Sequence, residues 1–153
     1  MNSRRMESQV VRDSLLHIGG ELDLRMGGPS INPSPDSKRR ALYFLHSRDQ
    51  QSKFLATFDD AEILACYERT ESIVPQQALA LSNGKGPLQM SEKLGTMGPK
   101  ENTPYISELF EKILCRLPTD EELKECLTFL EKVPNRARLA HALLTHNDFL
   151  TIR

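Results

Sequence analysis

The chain has 153 residues, the length of one domain with one sizeable core. Its 20 Lys+Arg stand against 21 Asp+Glu, so a net charge of −1 supplies no overall field to draw it onto nucleic acid or an anionic membrane. Its longest apolar runs, such as residues 78–81, fall far short of the roughly 20 residues that span a bilayer, and no membrane span is expected.

The opening Met1-Asn2-Ser3-Arg4-Arg5 leads into an amphipathic stretch, and no export signal is read there. Val11, Leu15, Ile18 and Leu22 recur at helical spacing and predict a helix over residues 4–22. Gly27-Gly28-Pro29 and Pro33-Ser34-Pro35-Asp36 then predict a loop to about Lys38. Ala41-Leu42-Tyr43-Phe44-Leu45 reads as a buried extended segment, with a short helix as the alternative, and no second strand is expected. Phe54, Leu55 and Phe58 share one side of a short helix, and Pro75 opens another that Asn83-Gly84 stops.

Residues 84–102, rich in Gly, Pro and polar side chains, predict a linker with a short helix over residues 88–94. Beyond it, Thr103-Pro104 reads as an N-cap and first-turn proline, followed by the stripe Ile106, Leu109, Phe110, Ile113 and Leu117 up to Pro118. Thr119 and Glu122 have the spacing of a capping box, and Leu123, Cys126, Leu127, Leu130 and Val133 follow as a second stripe. Two stripes joined by so short a turn predict a packed helical hairpin. After Pro134-Asn135, Leu139, Ala140, Leu143 and Leu144 predict a third helix that covers the hairpin and runs toward Phe149-Leu150.

The expected fold class is therefore mainly α: an irregular helical domain with long loops, one short extended segment and a C-terminal three-helix lobe containing the capped hairpin. The expected organisation is an N-terminal lobe at residues 1–83, a linker at 84–102 and a C-terminal lobe at 103–153.

Several blocks in order resemble a known family. They include Arg4-Arg5-Met6-Glu7-Ser8, Gly27-Gly28-Pro29-Ser30, Arg39-Arg40-Ala41-Leu42-Tyr43 and Phe54-Leu55-Ala56-Thr57-Phe58-Asp59. Val74-Pro75-Gln76-Gln77-Ala78-Leu79, Leu114-Cys115-Arg116-Leu117-Pro118-Thr119 and Asn147-Asp148-Phe149-Leu150 continue the series. The resembled family is the domain of unknown function 1553, which closes large planctomycete proteins bearing cytochrome-c-like N-terminal domains. The resemblance implies that the usual domain begins upstream, so that this chain corresponds to its C-terminal part. It also implies an extracytoplasmic or periplasmic setting for an exported multidomain parent, and it carries over no catalytic residue. The haem-attachment motif of the cytochrome-like neighbours is missing here.

His46, Arg48 and Asp49, with Asp59 and Asp60 nearby in sequence, form the densest gathering of titratable groups beside apolar anchors. A histidine with carboxylates suits acid–base work or a hard cation, but Asp59-Asp60 lacks the ligand spacing of an EF-hand and also suits a helix cap with Arg48 as ion-pair partner. His141 and Asp148 fall on one face if their helix extends that far, and His146 points elsewhere, so no zinc pair is expected. Cys66, Cys115 and Cys126 form no CxxC and read as free thiols: Cys126 in the core, Cys115 exposed, and Cys66 beside the cationic Arg69. The basic clusters Arg4-Arg5 and Lys38-Arg39-Arg40 are too small for a nucleic-acid face. These features point to a non-catalytic module that contacts other domains of a parent protein or a protein partner, with no cofactor or metal. A hydrolytic or metal-assisted centre around residues 46–60 is the alternative.

Overall fold

A computed structural model describes residues 4–47, 49–61 and 75–152. The chain is mainly α, with seven α-helices among these described residues. It divides into two compact units: Met1–Ala80 with Thr151–Arg153, and Leu81–Leu150.

In the first unit, β1 (Arg4–Arg5) pairs antiparallel with β2 (Thr151–Ile152), Arg4 facing Ile152 and Arg5 facing Thr151. This corrects two expectations, that the first helix starts at residue 4 and that no paired strand exists. Two-residue strands at opposite ends of a chain leave no alternating pattern to read. Helix α1 spans Ser8–Ile18 and ends at Gly19, before Gly20 turns the backbone at φ +69°. Leu22 is therefore outside the helix, while Val11 and Leu15 are buried as its stripe requires.

The segment 41–45 is not a buried strand. Ala41–Tyr43 forms a 3-10 turn, and Phe44 then makes a single parallel bridge to Ile31. Only Ala41 of the turn is buried, so the run of apolar letters does not mark a core element. Helix α2 (Lys53–Thr57) is capped by Ser52 Oγ on Leu55 N and buries Leu55 and Phe58, as its spacing predicts. Helix α3 spans Pro75–Asn83, and the division between the units falls within it.

The second unit holds α4 (Lys85–Thr96), α5 (Asn102–Leu114), α6 (Asp120–Lys132) and α7 (Arg136–Leu144). A 3-10 turn at Asn147–Leu150 closes it, burying Phe149 and Leu150. The stretch expected as a linker thus carries three turns of helix, longer than the residues 88–94 foreseen, with Met90, Ser91 and Leu94 buried. Gly86, Pro87 and Gly95 hide it from propensity, and packing supplies what propensity lacks. Helix α7 packs chiefly on α4 and only secondarily on the α5–α6 hairpin it was expected to cover. Gly95 permits this: a Cβ there would lie 2.7 Å from Ala137 N.

The hairpin forms with its capping box intact: Thr119 N donates to Glu122 Oε2 at 2.8 Å and Glu122 N to Thr119 Oγ1 at 3.3 Å. Its first helix starts earlier than expected, after Glu101, so Thr103 is not the cap and Pro104 lies inside the first turn. The open end is held by Arg136, which donates to Pro99 O at 2.7 Å and Asn102 Oδ1 at 2.9 Å and stacks on Tyr105. Helix α5 also stops at Leu114, before Pro118, with Cys115 left-handed at φ +53° and exposed. Of the second stripe only Leu130 is fully buried, so Cys126 is half-buried and not core.

Candidate functional site

The first unit is organised by two adjacent residues of α1. Asp13 accepts from the Ala41 amide at both carboxylate oxygens, at 2.9 and 3.1 Å, and from Arg12 Nη1 at 3.1 Å. Arg12 is buried. It donates to the carbonyls of Ser37 and Arg39 and lies 4.5 Å from the centre of the Phe44 ring. Burial pulls its pKa below the usual arginine value, against the opposing pull of Asp13, and the carbonyls and ring replace the water it has lost. Helix α1 and the loop 37–44 are thereby fixed together.

The same loop is braced from outside. Gly27 and Gly28 take φ of +79° and +91°, conformations that suit glycine, and Gly27 N donates to Tyr43 Oη at 2.8 Å. Arg39 lies 4.0 Å over the Tyr43 ring and donates to Gly27 O. Gly27-Gly28-Pro29-Ser30 is the turn its sequence suggested.

A second polar cluster joins α1 to residues 46–61. Asp60 Oδ1 accepts from Gln9 Nε2 at 2.6 Å, Ala61 N at 2.9 Å and Ser8 Oγ at 3.4 Å. His46 Nδ1 stands 3.8 Å from Asp60 Oδ2, and its Nε2 is 3.0 Å from Ala61 O. A carbonyl only accepts, so Nε2 carries the proton and donates to it. Asp59, at φ +57°, accepts from Gln77 Nε2 at 3.1 Å, and Gln77 Oε1 accepts from Arg5 at 2.6 Å.

Of the five residues singled out in the sequence, His46 and Asp60 thus meet. Asp59 turns to Gln77, Asp49 is exposed in the turn where Ser47 bridges Gln50, and Arg48, like Cys66, lies outside the described residues. Among the described residues, no three His, Cys, Asp or Glu side chains gather as metal ligands would.

Between α1 and the loop lies a cleft of about 680 Å³. Val10, Asp13, Ser14 and His17, spaced to share one face of α1, line it together with Arg40, Leu42 and Phe44 from the loop and Leu24 and His46 from the flanks. Sequence reasoning missed Gln9, Arg12, Asp13 and Arg40. Their partners are 27 to 51 residues away by chain position, as for Arg12 to Arg39 and Gln9 to Asp60, and only the basic cluster 38–40 hinted at any of them.

The family model for PSD1, a protein of unknown function (DUF1553), matches residues 1–130. The chain belongs to the PSD1 family. No curated protein and no solved structure matches it.

The polar groups of the second unit of this PSD1 chain are structural. Arg116 holds Glu122 through two hydrogen bonds, at 2.7 and 2.8 Å, and reaches Asp148 at 3.4 Å. That hydrogen bonding, helped by the Thr119 amide, keeps the Glu122 carboxyl at about 2. His141 and Asp148 do not share a helix face, because α7 ends at Leu144: His141 contacts Leu81 O at 3.3 Å, while Asp148 lies in the closing 3-10 turn. Burial raises the pKa of the Cys126 thiol, and Glu122 and Glu125 add to the effect. No described helix is long and apolar enough to cross a membrane.

Proposed function

We infer that this PSD1 chain is a non-catalytic helical module of a larger, exported protein, and that the cleft of its first unit docks another domain of that protein or a protein partner. The observation that carries this is the solvent exposure of large apolar side chains around one concavity: Val10 at 41 %, Leu24 at 62 % and Leu42 at 71 %. Met26, at 85 %, adds to the apolar surface of the same unit. Apolar side chains gathered at one concave site are typical of interaction surfaces. The polar groups beside them are spent on backbone: Asp13 caps the Ala41 amide and Asp60 the Ala61 amide. The exported, multidomain setting rests on the family resemblance alone.

A hydrolytic or metal-assisted centre is the second reading, favoured by the 3.8 Å approach of His46 to Asp60. Against it, His46 Nε2, the atom that would take a substrate proton, already donates to Ala61 O.

The test is a Leu24→Lys/Leu42→Lys variant of the native full-length protein in its own cells. Both side chains face water, so circular dichroism should be unchanged while the native complex breaks down to a smaller mass. A variant complex of wild-type mass refutes docking at this cleft.

A further inference from the structure

We propose that the occupant of the cleft is an apolar protein segment carrying an acidic side chain, which Arg40 receives. This rests on the docking role just described and names the partner's chemistry. Two guanidiniums, Arg12 and Arg40, share one carboxylate at the cleft wall. Asp13 is already taken by the Ala41 amide and by Arg12, and Arg40 Nε stands 4.0 Å off it, at the limit of an ion pair, with 42 % of its side chain exposed. The wall therefore has one formal positive charge in excess. The other acid of the lining, Glu7, has Arg4 at 3.5 Å, so that it adds little net negative potential. Ser14 and His17, one turn apart on the same face of α1, add hydrogen-bonding groups on the Arg40 side.

The apolar members flank this cationic point: Val10 on α1, Leu42 on the loop and Leu24 beyond it. From Val10 to His17 the α1 face runs about 10 Å at 1.5 Å per residue, room for about three extended residues or two helical turns. A segment with leucine-like side chains and a central glutamate satisfies both features. A lysine in its place sets like charge against Arg40, whose cost is felt as lost specificity.

Fluorescence anisotropy of the whole chain with a labelled hexapeptide, a glutamate between leucines, and its glutamine and lysine counterparts tests this. Binding should fall in the order glutamate, glutamine, lysine, with about tenfold between the first and last. Arg40→Gln should bring the three within about twofold, Arg40→Lys should restore the order, and Leu42→Ser should weaken all three alike. Thermal melts of each variant matching wild type assign the losses to the cleft. Equal affinity for glutamate and lysine peptides overturns the acidic partner, as does a concentration-dependent dimer that Leu42→Ser abolishes, which makes a second copy the occupant. Persistence of the native complex in the Leu24→Lys/Leu42→Lys cells overturns the docking role as well, so the two failures are distinct.

Discussion

Replacing Gly95 by alanine probes the contact that the sequence concealed. A Cβ at this position lies 2.7 Å from Ala137 N and 2.9 Å from both Ala137 Cα and Cβ, so the obstacle is backbone and no rotamer change relieves it. Ordinary carbon contacts begin near 3.5 Å, which forces α4 and α7 apart by somewhat under 1 Å. A gap of that size forfeits a quarter to a half of the attraction at each facing atom pair, and overpacking of this kind costs about 1–3 kcal/mol. Alanine's better helix propensity returns about 0.5–1 kcal/mol, leaving a net loss of about 1–2 kcal/mol. Gly86 on the same helix is the control, because a Cβ there meets nothing within 4 Å. Gly86→Ala should match or exceed wild type by up to about 1 kcal/mol. Urea unfolding followed by circular dichroism measures both, and a Gly95→Ala protein as stable as wild type would refute the close α4–α7 approach.

Asp13→Ala should cost about 3 kcal/mol, since it strands the buried Arg12 charge and uncaps the Ala41 amide, and Asp13→Asn should cost less; thermal melts compare them. Thr119→Ala should cost about 1 kcal/mol of α6 stability in the same assay, by loss of one half of the capping box. Glu122 is held at about 2 against an ordinary 4.5, so the folded state favours its ionised form. Its contribution is fully present above pH 4.5 and is lost as pH falls toward 2. Because the Arg116–Glu122 pair faces solvent, the loss should be on the order of 1 kcal/mol and smaller in high salt. Cys115 is exposed whereas burial raises the Cys126 thiol, so maleimide labelling followed by mass spectrometry should modify Cys115 about tenfold faster.

Local code was legible where a residue's partners lie within a turn or two of it. The Thr119–Glu122 box, the Ser52-started turn carrying Leu55 and Phe58, and the α7 stripe all belong to that class, and so does the mainly helical character of the chain. What escaped depends on distant partners. Arg4-Arg5 continues the charge pattern of α1 yet pairs with Thr151-Ile152, and Gly86, Pro87 and Gly95 disguise a helix that packing against α7 stabilises. At the cleft, the density of titratable groups drew notice to His46 and Asp60, which do approach each other. Charge density alone did not distinguish them from Asp49, exposed in its turn, or from Asp59, which serves Gln77. Asp13 and Arg12 looked like ordinary polar members of an amphipathic helix, because the amide and carbonyls they hold are contributed by a loop some 25 residues further on.

Docking at the first-unit cleft is tested most directly by a benzophenone amino acid placed at Leu42 in the native protein and irradiated in its own cells. A second copy of the probe at Glu131, exposed on α6 and away from any cleft, sets the background. The structure predicts one discrete adduct from Leu42, absent from Glu131, that weakens when Arg40→Gln is added. No adduct at Leu42, or the same products from both positions, would contradict docking at this cleft.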